Sequence, residues 1–459
     1  MLDRLNKARV LAENGHLAQA WKICDECLNE NPESPHAMVL ASFILDKEGR
    51  PSVSYHLAKR LTQLWPTESA GWTNLGRCAD AMWRTDEAEM AHKKALRFAK
   101  GDDRTGPLLN LSALYLQVGR WSEAEDYANR ALAVDSDNLK AKHNLGLCQL
   151  ARRDWAGWAN YRASVGTPNR IAFSYTGEPL WEGEQVGTLV LSGEQGLGDE
   201  INAASAFEDV QRLCDRLIVD CDPRLVNLFR RSFPGVTFHG TRNQAQLDWP
   251  EADRQIDASL PMMQAHEYTR LKDADFTGQP YLVADPDRVT MWKSLWDRKG
   301  PVIGIAWTGG IKSTGSAFRQ WSLEDMLPVF KANPKAHFVC LQYRDASQEI
   351  AAFKRRHPEV SIEQYPYATL TQDYDDTAAL VASLDMVVSV QTSVIHLAGA
   401  LGVQTLCGVA QNGQWRYGVG GDRMPWYQSV RLFRQDKMRW PMDWIARQVS
   451  ETFAIKEAA

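Results

Sequence analysis

A 34-residue period running from the first residue constrains this chain more than any other feature. Gly15, Ala20, Cys27-Leu28 and Pro32 recur 34 positions later as Gly49, Ser54, Leu61 and Pro66. A third copy carries Trp72-Thr73-Asn74-Leu75-Gly76, Ala88 and Ala95-Leu96. After a two-residue slip come Asn110-Leu111, Tyr115, Gly119, Ala124 and Ala131-Leu132, and a last copy opens with Asn144-Leu145-Gly146 and runs into Trp155 and Trp158. Glycine at the turn and alanine on the second helix let two antiparallel helices approach closely, while large residues fill the remaining gaps. One such pair cannot bury its own apolar face, so the copies must stack, and the stack presents a concave surface.

Period and residue types together resemble the tetratricopeptide repeat. The resemblance covers residues 1 to about 160 and implies an α-helical solenoid whose surface binds a protein or peptide. The alternative is a stack that only props up the C-terminal part of the chain, or dimerises. Cys24 and Cys27 form the chain's C-x-x-C, with no second pair to complete a zinc site, and read as two small residues on one helix face. Net charge is −5, which argues against a nucleic-acid partner. No apolar run reaches the ~18 residues of a membrane span, and the charged, amphipathic start MLDRLNKARVLAENG lacks the apolar core of a signal peptide. The expected location is cytoplasmic, with the eight cysteines reduced.

From about residue 187 the periodicity changes. Short β-branched runs alternate with helical stretches: Leu217-Ile218-Val219, a helix near 223–232, then Val236-Thr237-Phe238. A second series holds Val302 to Trp307, Phe338 to Leu341, Met386 to Val390 and Thr405 to Val409. This βαβ alternation predicts parallel sheets covered by helices. Two doubly wound halves in tandem would face each other across a cleft, with ligands at the C-terminal ends of the strands. The expected organisation is a repeat solenoid at 1–165, a first Rossmann-like half at 166–285, a linker at 286–300, a second Rossmann-like half at 301–436 and a C-terminal helix at 437–459.

Residues 189–200, 303–312 and 384–402, with the stretches EQGLGDEI, IGIAWTGG and SLDMVVSVQTSVIHLAGALG, resemble the tetratricopeptide-linked glycosyltransferases related to bacterial heptosyltransferases, and more distantly the O-GlcNAc transferases. PWYQSVRLFRQ and the GW-x-x-Y form of Trp158–Tyr161 carry the same likeness. The resemblance implies a GT-B fold of two Rossmann-like doubly wound domains facing a cleft. It also implies a nucleotide-sugar donor in the C-terminal half, an acceptor in the N-terminal half, and inverting transfer with no cofactor and no bound metal.

Sugar transfer must take a proton from an acceptor hydroxyl and stabilise a departing diphosphate. For the first task the candidate is Asp199. Glycines at 193, 196 and 198 let the backbone turn tightly after a strand, placing a carboxylate at the strand's C-terminal end. The resemblance makes this aspartate the general base, whereas a purely local reading makes Asp199 or Glu200 a helix cap. The loop, with Gly196 and Gly198, is not G-x-G-x-x-G, and a carboxylate there would repel phosphate.

For the second task, Thr392 and Ser393 start a helix after a strand, where hydroxyls and free N–H groups attract an anion. The resemblance brings this segment, with Gln391 and His396, to the donor. Relatives commonly carry Asp where this chain has Gln391. His396 has the alternative of a satisfied helix histidine. Lys312 and Arg319 flank the loop after Trp307 and could neutralise the diphosphate. Gln342 at the next strand end could meet the base, and the resemblance adds Arg416 to the donor site. The D-x-D patterns at Asp220/Asp222, Asp285/Asp287 and Asp373/Asp375 sit at turns or helix starts, where Asp is favoured without a metal. The leading expectation is an inverting, metal-independent glycosyltransferase acting on a protein held by the repeats. The alternative is a non-catalytic repeat scaffold with a degenerate nucleotide-binding domain, which Gln391 keeps open.

Overall fold

A computed structural model describes residues 1–168, 170–242, 244, 247, 249–252, 255–296, 300–310, 318–436 and 439–458. The chain divides into two compact units, Met1–Cys148 and Gln149–Ala459. The first is built of helical tetratricopeptide-like pairs: α1 (Leu2–Glu13) with α2 (Leu17–Glu30), α3 (Pro35–Lys47) with α4 (Pro51–Leu64), α5 (Ser69–Ala81) with α6 (Thr85–Phe98), α7 (Thr105–Gln117) with α8 (Trp121–Val134), and then α9 (Leu139–Ala151). The longest step between pairs, from 69 to 105, contains a 3₁₀ turn at Gly101–Arg104, which accounts for the two-residue slip in the period.

Small residues set the helix spacing. Ala20, Ala58, Ala88, Ala95, Ala124 and Ala131 are fully buried on the second helices. At Gly76 an added Cβ would stand 2.4 Å from the His92 ring, so that ring lies directly on the α5 backbone. The turn inside each pair requires a left-handed residue: Gly15, Gly49 and Gly119 have φ of 83°, 74° and 76°. Trp83 (φ 58°) and Arg153 (φ 62°) fill the equivalent places without glycine, at a cost of order 1 kcal/mol each. Ser34 caps α3 by accepting from the Ala37 N–H at 3.4 Å, with Pro35 at the first helical position.

The second unit contains two parallel sheets. The first comprises β1 (Val186–Ser192), β2 (Cys214–Asp220), β3 (Thr237–His239) and β4 (Ala258–Pro261) in the order β3-β2-β1-β4. The second comprises β5 (Val302–Ala306), β6 (His337–Cys340), β7 (Ile362–Gln364), β8 (Met386–Val390), β9 (Thr405–Val409) and β10 (Val430–Arg434) in the order β10-β9-β8-β5-β6-β7. Every pairing is parallel. β5, β8 and β9 are buried along their whole length, as strands covered on both faces must be, and hence they read as unbroken apolar runs.

Both sheets reverse direction beside their first strand. In the first, the chain steps outward from β1 to β3 and then returns to the other side of β1. In the second it steps from β5 to β7 and returns with β8 beside β5. Crevices open at such switch points, outside the C-terminal strand ends. The segments placed there follow β1, β5 and β8, the same three stretches that stand out in the sequence.

Side chains tie the sheets together. Arg231, on the Val226–Ser232 helix, bonds both oxygens of Asp375, on the Tyr374–Ala382 helix, at 2.8 and 2.6 Å. The Tyr281 hydroxyl donates to the Ile201 carbonyl at 2.7 Å, and Asn202 Nδ2 donates to the Tyr427 hydroxyl at 3.3 Å. No described helix is long and apolar enough to cross a membrane.

Candidate functional site

The glycine loop after β1 carries three carboxylates, and each has a different environment. Glu194 is 8% exposed and takes a bidentate bond from Arg170 at 2.7 and 2.9 Å. It also accepts the Met263 N–H at 3.1 Å. Glu200 is fully buried, pairs with Arg242 and accepts the Asp222 N–H at 2.8 Å. Burial pushes its carboxyl up to about 7 against the opposing pull of Arg242. Gly193 is required here, because a Cβ would stand 2.6 Å from Glu200 Oε1 and 3.0 Å from the Asp220 carbonyl.

Asp199 is the carboxylate of the three that lines a cavity. Its side chain is 25% exposed. Oδ2 accepts the Gly196 N–H at 2.9 Å, capping the Leu197–Ala203 helix from within its first turn. Oδ1 lies 2.8 Å from Arg416 Nη2. Capping and facing the cavity are therefore not alternatives, since one carboxylate does both. Gln195, just before, holds a left-handed φ of 62°. Its carbonyl accepts from Arg242, its Nε2 donates to the Tyr161 hydroxyl at 3.1 Å, and its Oε1 accepts from Arg416 at 3.4 Å.

The cavity has a volume of about 550 Å³, and the segments after β1 and β8 meet in it. Gly196, Gly198 and Asp199 line it from the first sheet, and Gln391, Thr392, Ser393 and His396 from the second. Thr392 caps the Ser393–Ala400 helix, its hydroxyl accepting the Val394 N–H at 3.2 Å. Gly309, after β5, lies against this cap: a Cβ there would stand 2.3 Å from Thr392 Cγ2. Gln391 is 4% exposed. Its Oε1 accepts the Ala410 N–H at 3.3 Å, while Nε2 is buried at the cavity wall with no acceptor among the described residues. Arg319 adds a guanidinium that is 3% exposed, and burial lowers its pKa.

His396 is a satisfied helix histidine that also reaches the cavity wall. Nδ1 meets the Tyr427 hydroxyl at 3.1 Å and Nε2 the Tyr417 hydroxyl at 3.3 Å. Burial, with a further push from Arg416, lowers its pKa to about 4, so the ring is neutral near pH 7. Gln342 lies away from the described cavity wall. With its amide oriented so that Nε2 donates to the Thr308 carbonyl at 3.1 Å, Oε1 accepts the Thr308 hydroxyl at 2.6 Å and N–H at 3.2 Å. Arg416 is turned toward Asp199 and Gln195, although Gln414 and Tyr417 on either side of it line the cavity. Lys312 lies outside the described residues.

Several wall residues carry no sequence signal of their own: Arg224, Tyr343, Tyr374 and the Thr369–Gln372 segment. Tyr427 falls in the quoted PWYQSV stretch, but its role as the partner of His396 needs the fold. Most of the D-x-D carboxylates have protein partners. Asp220 accepts the Thr241 N–H and hydroxyl at 2.9 and 2.8 Å. Asp222 accepts from Arg224, and Asp285 and Asp373 cap helices. Cys24 and Cys27 are buried free thiols on α2, and Cys24 Sγ donates to the Ala37 carbonyl at 3.2 Å.

No family model matches the chain. Protein FlbA of Caulobacter vibrioides (strain ATCC 19089 / CIP 103742 / CB 15) is 30% identical over 299 residues, a stretch that takes in 60% of this chain and 48% of FlbA. The chain thus spans about half the length of the curated relative it matches. Among solved structures, TTC0263, a thermophilic TPR protein of Thermus thermophilus, is 22% identical, with a TM-score of 0.32 over 35% of this chain and 89% of its own. The pilF protein of Pseudomonas aeruginosa is 15% identical, with a TM-score of 0.35 over 46% of this chain and 85% of its own.

Proposed function

We propose that the second unit is an inverting glycosyltransferase of the GT-B type and that the repeats hold its protein acceptor. The observation that carries this is the meeting of Asp199 with Gln391, Thr392, Ser393 and Arg319 around one cavity of about 550 Å³. Its lining is rich in hydroxyl and amide side chains, suited to a polyhydroxylated ligand, with a buried guanidinium for an anionic one. In the proposed step, Asp199 takes the proton of the acceptor hydroxyl as its oxygen attacks the anomeric carbon. The bond to the nucleotide breaks on the opposite side, which inverts the configuration. The departing phosphate's charge is met by Arg319, the Thr392 and Ser393 hydroxyls and the positive end of the Ser393–Ala400 helix dipole. This step draws on cationic and neutral donors of the chain and needs no cofactor beyond the nucleotide sugar as co-substrate.

A second possibility, a non-catalytic repeat scaffold with a nucleotide-sensing domain, draws on Gln391, an amide where related transferases commonly carry a carboxylate. Two measurements separate them. Thermal stabilisation by UDP, GDP, ADP, dTDP or CMP reads nucleotide binding, since a ligand at 100 times its Kd adds about 2.7 kcal/mol. Release of free nucleotide from the corresponding nucleotide sugars reads catalysis. Stabilisation with release that Asp199→Asn abolishes supports the transferase, and stabilisation without release supports the sensor. No stabilisation and no release by any member of the panel overturns both.

A further inference from the structure

We infer that Arg416 is a positioning residue for Asp199 and not a ligand of the donor phosphates; this rests on the transferase reading above. Arg416 belongs to the Trp415–Tyr417 turn that follows β9, on the second-sheet side, while Asp199 belongs to the first. Its side chain is 4% exposed and does not line the cavity, although Gln414 and Tyr417 do. The guanidinium instead lies 2.8 Å from Asp199 Oδ1 and 3.4 Å from Gln195 Oε1.

The arginine is itself held rigidly. Its guanidinium carbon stands 4.7 Å from the Trp415 ring centroid, and that ring meets Trp158 edge-on at 5.5 Å. Its carbonyl accepts the Trp426 indole N–H at 3.2 Å. Arg434 donates to the carbonyls of Tyr417, Gly418, Gly420 and Gly421 at 2.5 to 3.0 Å, fixing the turn.

Asp199 is thus gripped at both oxygens, Oδ2 by the Gly196 N–H and Oδ1 by Arg416. A carboxylate held at two points cannot swing about its Cβ–Cγ bond, so the remaining lone pairs keep one direction toward the cavity. A base gains rate from such fixed aim, and a misplacement of about 1 Å can cost on the order of 10²-fold. Gln195, held in a left-handed conformation beside the pair, adds a second anchor for the same guanidinium.

The test compares Arg416→Met, Arg416→Lys, Asp199→Asn and the double variant Asp199→Asn/Arg416→Met in the full chain. The readouts are the melting shift induced by UDP, GDP, ADP, dTDP and CMP, and kcat and KM for nucleotide release from the matching nucleotide sugars. Arg416→Met is expected to lower kcat by about 10²-fold, within the range a positioned base supplies, with KM and the nucleotide-induced shift unchanged. Arg416→Lys keeps the charge without the two-point reach and is expected to fall between. The double variant is expected to be no slower than Asp199→Asn, because both changes remove one device.

Loss of the nucleotide-induced shift in Arg416→Met or Arg416→Lys would make the arginine a phosphate ligand and overturn the inference. Unchanged kcat in either would leave it only a structural part and overturn it equally. If Arg416→Met does not fold, Arg416→Lys decides by the same two readouts. A wild type that neither binds nor releases any nucleotide defeats the transferase reading instead, which is a distinct result.

Discussion

Gly198 lies so close to Ser393 that an added Cβ would stand 3.0 Å from the Ser393 Cα and 3.1 Å from His396 Cδ2. The Leu197–Ala203 and Ser393–Ala400 helices therefore approach backbone to backbone, which brings Asp199 and Thr392 to the same cavity. Gly198→Ala should destabilise the second unit. An alanine gains about 1 kcal/mol of helix propensity, but its methyl meets backbone that cannot rotate away, and overpacking of this kind costs about 1–3 kcal/mol. The expected net loss is about 1 kcal/mol in urea denaturation. Gly106→Ala on α7, with open space around it, should be neutral or mildly stabilising.

The Arg231–Asp375 pair crosses between the two sheets, and only the arginine reaches solvent, with side chains 23% and 4% exposed. Removing one partner of a fully buried pair costs about 3–5 kcal/mol. Partial exposure of Arg231 lowers this, so Asp375→Ala should cost on the order of 2 kcal/mol. Because the pair joins the two halves, the loss should appear also as faster proteolysis near the Tyr374–Ala382 helix. A melting temperature and cleavage pattern equal to wild type would show that this pair does not help to hold the sheets together.

Much of this was open to sequence reading, for identifiable reasons. The helix pairs declared themselves because spacing and residue size repeat together, down to the slip that Gly101–Arg104 occupies. Trp83 and Arg153 are exceptions, holding a glycine's conformation with nothing in their side chains to announce it. β5, β8 and β9 were visible as unbroken apolar runs. β4 and β7 are four and three residues long, too short for a pattern to emerge from background. Asp199 stood out by its glycines, but its partner is 217 positions away, and Arg416 attracted attention for a different ligand. Arg170 and Arg242 carry no local signal at all; only the fold shows that they neutralise Glu194 and Glu200 and leave Asp199 as the loop's cavity-facing carboxylate.

Stability should fall in mild acid before most carboxylates titrate. Burial lowers His92 and His396 from 6.5 to about 4 and His266 to about 3, with nearby arginines adding to each. In the unfolded chain these rings take up protons near pH 6.5, in the folded chain only near 3–4. The unfolded state therefore binds more protons across that window, so this stability is full above pH 6.5 and is lost as pH falls toward 4. One pKa unit corresponds to about 1.4 kcal/mol, so each ring contributes on the order of 3 kcal/mol over the full window. Urea midpoints measured from pH 7.5 to 4.5 should decline already between 6.5 and 5. Glu200 and Asp80 work the other way: burial raises their folded carboxyls to about 7 and about 6, so the folded state holds their protons as pH falls through the same window. Three rings against two carboxyls leave a net decline, and stability that holds flat or rises from pH 6.5 to 5 would overturn that balance.

Gln391 separates the needs of the protein alone from those of its ligand. Its Oε1 makes one long bond to the Ala410 N–H at 3.3 Å, while Nε2 is buried at the cavity wall without an acceptor among the described residues. An unmet buried donor costs about 1–3 kcal/mol. Gln391→Met removes that donor while giving up the weak Ala410 bond, so the free protein should melt within about 2 °C of wild type. If the amide N–H bonds a ligand oxygen, the same change should weaken binding of the nucleotide or nucleotide sugar by roughly tenfold, the worth of one neutral hydrogen bond. Gln391→Glu gives the complementary case: it keeps an acceptor for Ala410, removes the donor and adds a negative charge facing the ligand. It should weaken binding of a diphosphate more than Gln391→Met does. Equal affinities in all three proteins, by calorimetry, would place the ligand away from Gln391 and leave its buried amide without a role in recognition.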